Sequence, residues 1–128
     1  MQQATYNLVF YRGDSRKLNF WFEDEDTETG ISVPSDLTNV EIRLQGRYDA
    51  DDLTPVFDLP WIPIDNKKGS GYFNLSKTVS ENLLNPYGIE KRSSGVWDIQ
   101  FWSKLDPELA HTPLRGTWTI QKDVTRRK

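Results

Sequence analysis

Tyr6-Asn7-Leu8-Val9-Phe10-Tyr11-Arg12-Gly13-Asp14-Ser15-Arg16-Lys17-Leu18-Asn19-Phe20-Trp21-Phe22-Glu23 is the stretch on which the fold turns. Its centre, Arg12-Gly13-Asp14-Ser15, reads either as an adhesion ligand or as a turn between two strands. Before it, Tyr6, Leu8 and Phe10 alternate with Asn7, Val9 and Tyr11; after it, Leu18, Phe20 and Phe22 alternate with Asn19, Trp21 and Glu23. A period of two marks strands with one buried face. Glycine accepts positive φ at no steric cost, and Asp and Ser side chains bond back to nearby amides, so the tetrapeptide carries turn chemistry. A hairpin is the economical expectation. The adhesion reading needs a secretion signal and a displayed tip, and Met1-Gln2-Gln3-Ala4 has neither the basic region nor the apolar stretch of such a signal.

Further along, turn signals recur at short intervals. The acidic turn around Asp26-Thr27-Glu28-Thr29-Gly30 precedes Ile31-Ser32-Val33, where Pro34 ends a ladder or confines it to an edge. Val40, Ile42 and Leu44 then alternate with Glu41, Arg43 and Gln45 up to Gly46, which permits a bend or bulge. Pro55, Pro60 and Pro63 place the segment from Leu53 at a sheet edge, with a loop around Trp61. Asn66-Lys67-Lys68-Gly69-Ser70-Gly71 reads as a flexible turn before Tyr72, Phe73 and Leu75. One short helix is expected at Thr78-Val79-Ser80-Glu81, whose spacing fits a capping box, before Asn85-Pro86 stops it. Trp97, Ile99 and Phe101 share a face opposite Val96, Asp98, Gln100 and Trp102. After a loop from Asp106 to Pro113, Leu114, Trp118 and Ile120 alternate with Arg115, Thr117, Thr119 and Gln121. The sum is an all-β chain: an antiparallel two-sheet immunoglobulin-like sandwich of about seven strands.

At 128 residues the chain fits one domain. The sandwich is expected over residues 1–121, with residues 122–128 a basic C-terminal tail. Sixteen aromatic residues, five of them Trp, compensate for a hydrophobic content of only 36%. Cysteine is absent, which excludes disulfides, thiolate metal sites and a Cys nucleophile. No apolar run approaches the ~18–20 residues of a membrane span, so no membrane partner is expected and the chain is expected to be made as a soluble protein. A net charge of −3 argues against nucleic acid as a partner. Charge is unevenly spread: five acids fall among the six residues from Glu23 to Glu28, while the last seven residues carry four basic groups and one acid. These are either solvated segments or complementary docking surfaces.

Chemistry is sparse. His111 is the sole histidine, in an expected loop, so no catalytic triad is anticipated and the chain is read as a non-enzyme without cofactor. Asp24, Asp26 and Glu28 alternate as in a calcium loop, but glycine stands at the seventh position and Ser35 at the twelfth, so no metal site is assigned. Asp49, Asp51 and Asp52 form a second acidic cluster of turn residues. No glycine cluster leads into a helix with the lysine of a phosphate loop. Trp97 and Trp118 fall on core faces, leaving Trp21, Trp61 and Trp102 for a protein interface, the favoured use, or for stacking on sugars such as a host glycan. Arg126 and Arg127 are the tail's candidates for pairing with carboxylates of a neighbour.

Tyr11-Arg12-Gly13-Asp14, Pro34-Ser35-Asp36-Leu37-Thr38 before Val40-Glu41-Ile42-Arg43, Gly95-Val96-Trp97-Asp98-Ile99-Gln100, and Leu114-Arg115-Gly116-Thr117-Trp118-Thr119-Ile120 running into Asp123-Val124-Thr125-Arg126 together resemble a family of tailed-phage virion proteins. The chain is similar to the N-terminal module of baseplate upper proteins and to small tail and fibre-attachment proteins. The resemblance implies a non-catalytic virion component, soluble in the host cytoplasm before assembly, that contacts other virion proteins and symmetric copies of itself. Its expected place is the tail, baseplate or fibre-attachment region, with head decoration as the sub-option. The long receptor-binding extension of baseplate proteins does not follow Lys128 in this sequence, so the resemblance does not carry receptor recognition over to it.

Overall fold

The computed structural model describes residues 4–126. Eleven strands form among them: β1 (Ala4–Thr5), β2 (Leu8–Tyr11), β3 (Arg16–Trp21), β4 (Glu23–Glu25), β5 (Ser32–Pro34), β6 (Val40–Arg47), β7 (Phe57–Pro60), β8 (Ile62–Asp65), β9 (Ser70–Leu75), β10 (Ser94–Ser103) and β11 (Ala110–Gln121). A single α-helix, α1 (Lys77–Asn82), and a 3₁₀ turn at Asn66–Lys68 complete the set. The strand number exceeds the expected seven because several strands are only two to four residues long, below the length at which alternation becomes visible.

The larger sheet runs β11-β10-β6-β7, with β1 and β2 both lying on the free side of β11; the smaller runs β3-β9-β8. Ile42, Leu44, Trp97, Ile99, Phe101, Trp118 and Ile120 from the first face Leu18, Phe73 and Leu75 from the second in one buried core. Phe22, just beyond β3, meets Phe101 edge-on at 4.8 Å and ties the two layers. Such an aromatic pair adds about 0.5–1.5 kcal/mol beyond its buried area.

The expected hairpin across Arg12-Gly13-Asp14-Ser15 does not form. β2 pairs in parallel with β11, Leu8 opposite Trp118, whereas β3 pairs with β9 in the other sheet, Leu18 opposite Phe73. The turn is therefore an arch that carries the chain from one sheet to the other. Alternation cannot separate the two cases, because Leu8, Phe10 and Leu18 point into the core in either. The turn chemistry itself is as expected: Gly13 has φ +89° and the Asp14 amide donates to the Tyr11 carbonyl at 3.1 Å.

The sheet is thus not purely antiparallel. β1 and β2 keep one register along β11, from Ala4 opposite Leu114 to Tyr11 opposite Gln121. They approach so closely at Tyr6 that a Cβ on Gly116 would lie 1.6 Å from its carbonyl oxygen. That carbonyl accepts the Trp97 indole N–H at 3.1 Å, and Asn7 Oδ1 accepts the Thr117 hydroxyl at 2.8 Å. In the gap between β1 and β2 the Tyr6 amide keeps a backbone bond to the Arg115 carbonyl at 2.8 Å, and these side chains add to it.

Other expectations are revised. A tight hairpin forms instead at β4–β5, around the acidic turn closed by Gly30 N–H to Asp26 C=O at 2.7 Å. β6 runs straight through Gly46, because the Phe57 ring from β7 occupies the space a side chain would need. The segment after Leu53 does supply edge strands, β7 and β8, and Trp61 is the crossing between the sheets. β11 begins at Ala110, inside the expected loop, because a bulge opposite Gln100 absorbs Thr112 and Pro113 and so tolerates the missing proline N–H. The helix is capped by Ser76, whose Oγ accepts the Val79 amide at 3.1 Å, rather than by Thr78; Glu81 pairs with Lys77 instead of reaching back.

Two substitutions test this architecture. Gly13→Val forces a β-branched residue to positive φ and should lower the unfolding free energy by at least ~1–2 kcal/mol. Gly116→Ala should cost about 1–3 kcal/mol by overpacking against Tyr6. Chemical denaturation checks both, and a wild-type midpoint for Gly116→Ala would contradict the close parallel approach of β1 and β2.

Candidate interaction site

The arch, the end of α1 and the segment after β11 converge on one side chain. Arg12 is only 6% exposed; its Nε–H donates to Asp123 Oδ1 at 2.6 Å, and an Nη1–H donates to the Leu84 carbonyl. Leu84 holds that carbonyl in place with φ +56°, a left-handed conformation rarely taken by a residue of this type. The Gly13 amide donates to Ser80 Oγ at 3.0 Å, and that hydroxyl donates in turn to the Lys77 carbonyl at 3.0 Å. Asp123 is thereby the counter-ion of a buried guanidinium. Hydrogen bonding from Arg12 holds its carboxyl below the ordinary carboxylate range.

This geometry removes the adhesion reading. A displayed ligand must offer its arginine, and here the arginine is a structural tie. Around it lies a cleft of about 440 Å³ lined by Tyr11, Lys77, Asn82, Asn85, Tyr87 and Arg126, among others. Most of its charges are paired, Lys77 with Glu81 and Arg126 3.6 Å from Asp123 Oδ1, while Asp14 lines it without an ion pair to a described residue. Such a cleft suits an apolar or aromatic segment more than a strongly charged one.

The tryptophan candidates are not brought together. Trp21 ends β3 and is 73% exposed; its alternation with the buried Leu18 and Phe22 sets it on the outer side of the smaller sheet. Tyr72, opposite Asn19 on the neighbouring strand, is half-buried and carries the Lys17 ammonium 4.7 Å above its ring. Trp61 turns inward: its ring packs on Phe22 and Phe73 at 5.6 and 5.3 Å, and its indole N–H donates to Asn66 Oδ1 at 3.0 Å. Trp102 is half-buried near the end of β10, beside a hollow shared with Val40 and His111. Arg126 is exposed and donates to the Asp123 carbonyl at 3.2 Å, while Arg127 lies outside the described residues.

His111 stands in β11, its ring edge-on to Phe101 at 5.3 Å. Asp24 accepts the Ser35 hydroxyl and Asp26 accepts the Glu28 amide, so these alternating acids serve their own hairpin. Among the described residues no group of three His, Asp or Glu side chains is placed to hold a metal ion, and no helix is long and apolar enough to cross a membrane.

Residues 23–34 form the most unusual surface. Every residue of β4 and β5 and of the turn between them is exposed, so the ribbon is covered on neither face. Sequence reading found its acids and its turn but not its separation from the core, for which only the lack of an apolar alternation in Glu23-Asp24-Glu25 was a signal. The structural role of Arg12 had no sequence signal, since both its partners are distant in the chain.

Comparisons with known proteins place little beside this geometry. No family model and no curated protein matches the chain. Among solved structures, the N-terminal domain of phage TP901-1 ORF48 is similar at a TM-score of 0.48 and 9% identity, covering 95% of this chain and 100% of that one. A likeness this distant carries no argument about function.

The tie makes a pH prediction. Because folding lowers the Asp123 pKa below its unfolded value of about 3.9, its stabilisation is present above that value and is lost as pH falls through the lower folded one. Asp123→Asn should therefore be less stable than wild type at neutral pH and lose less stability between about pH 4 and pH 2. Parallel acid dependence of the two urea midpoints would contradict the tie.

Proposed function

We propose that this chain is a non-enzymatic structural subunit of a tailed-phage particle, built as an immunoglobulin-like sandwich and repeated around the tail, baseplate or fibre-attachment region. The observation that carries the reading is the ribbon of residues 23–34: a rigid body that holds out a two-stranded element uncovered on both faces. An isolated two-stranded ribbon is at best marginal in water, so such an element is suited to a surface supplied by a neighbour. The strand order supports the immunoglobulin-like arrangement, with β3-β9-β8 opposed to β11-β10-β6-β7 as that fold divides its strands, although β1 and β2 lie on β11 instead of on β3. The segments that carry the family resemblance lie largely in the frame: the arch, β10, β11 and the stretch after it.

Reconstruction of purified particles from a phage encoding this chain should find it at repeated positions near the tail tip. Its absence from such particles would overturn the reading, and a head location would move it to decoration.

A second reading has one specific observation in its favour. Trp21 stands exposed near Tyr72 with Asn19 and Asn74 on adjacent strands, a surface able to stack on a sugar and bond its hydroxyls. A glycan panel separates the two: the structural reading expects no saturable binding, whereas saturable binding abolished by Trp21→Ala would favour carbohydrate recognition.

A further inference from the structure

The ribbon's chemistry specifies its partner. Glu23, Asp24, Glu25, Asp26 and Glu28 all stand on it, and none makes an ion pair with a described residue. Ile31 and Val33 are 62% and 53% exposed on its second half. A fitting surface must therefore be basic, extended and partly apolar.

The segment that follows β11 has that composition. It carries Lys122, Arg126, Arg127 and Lys128 against one acid, Asp123. Asp123 binds the buried Arg12 and also lies 3.6 Å from Arg126, so the segment's one acid is held internally against four cations in its sequence. Val124, 93% exposed, supplies an apolar contact. Residues 122–126 form no strand of their own, which leaves their backbone free to lie along an exposed ribbon as a third strand.

The two elements do not meet within one molecule. Asp123 is fixed beside Arg12, near the start of β3, whereas the ribbon leaves from the other end of β3. Six residues of strand separate those ends by about 20 Å.

We propose that the acidic ribbon of one copy docks on the basic strap of a second copy, in a head-to-tail contact. The proposal rests on the assembly reading above and names the contact that reading leaves open. Because the two surfaces differ, the contact is heterologous, and repeated use of it yields a closed ring or an open filament according to the rotation between copies.

Sedimentation velocity of the full chain over a range of concentrations tests it. Wild type should associate as concentration rises, and less so at about 0.5 M salt than at about 0.05 M. The ribbon variant Glu23→Lys/Glu25→Lys/Glu28→Lys and the strap variant Lys122→Glu/Arg126→Glu/Arg127→Glu should each raise the dissociation constant by at least about tenfold while keeping the wild-type circular dichroism spectrum. An equimolar mixture of the two should associate again, because reversed ribbon meets reversed strap and native ribbon meets native strap. A wild type that stays monomeric, variants that associate as wild type does, or a mixture of folded variants that fails to recover would each overturn the contact. Those results are distinct from failure of the assembly reading, which the particle reconstruction decides: copies placed in the tail without touching one another would refute the contact and retain the reading.

Discussion

The buried guanidinium of Arg12 is the constraint on which the meeting of the arch, α1 and the segment after β11 depends. A cation removed from water must find both a counter-charge and acceptors for its remaining N–H groups, because an uncompensated charge away from water is strongly destabilising. Here the charge comes from Asp123, 111 residues away, and an acceptor from Leu84, 72 residues away. One side chain thus fixes the arch between the sheets, the exit of α1 and the first turn of the strap. The left-handed conformation at Leu84 makes sense in this light: an unfavourable backbone state is held because it delivers a carbonyl to the guanidinium.

β11 plays the corresponding part for the sheet. Its twelve residues pair with β10 on one side and with β1 and β2 on the other, so the first and last strands of the fold share a single ladder. Parallel pairing of the two chain ends is a contact of the longest range and gains nothing from local turns. It is secured instead by shape and by specific donors: the bare backbone at Gly116, the Trp97 indole on the Tyr6 carbonyl, and Asn7 on Thr117. Trp97 and Trp118 are therefore more than core filling, since each indole N–H also satisfies a backbone carbonyl, Trp118 that of Arg47 at 3.2 Å.

Faces were legible in the sequence and partners were not. Alternation in β6, β10 and most of β11 sorted Ile42, Leu44, Trp97, Ile99, Phe101, Trp118 and Ile120 correctly into the core, because burial is a local property of a two-residue period. Which strand lies beside which is a non-local property, and the arch at Arg12-Gly13-Asp14-Ser15 illustrates the difference: glycine and turn hydrogen bonds demand a reversal but say nothing of its plane. The bulge at Thr112 and Pro113 escaped for a related reason, since a proline in a strand marks either an edge or a bulge, and the register slip that makes a bulge is set by the partner strand. Of the surface candidates, exposure was legible for Trp21 from the face it shares with Asn19 and Glu23, whereas Trp61 looked like a loop residue and is drawn inward by Phe22 and Phe73.

The remaining edges bear on how a molecule with so much strand avoids indiscriminate pairing. Both edges formed by β7 and β8 carry proline, at Pro60 and Pro63, which removes ladder donors where a foreign strand would add. The outer edge of β3 opens with Arg16 and Lys17, whose charges oppose stacking of like edges. Protection of this kind is absent from the ribbon of residues 23–34, which offers an acidic surface with Ile31 and Val33 and no proline before its last residue. Like-charge repulsion prevents two ribbons from pairing with each other, yet it does not oppose a basic strand. The distribution of charge and proline therefore discourages contact between like edges at every strand edge named above, and in the ribbon it does so by charge alone.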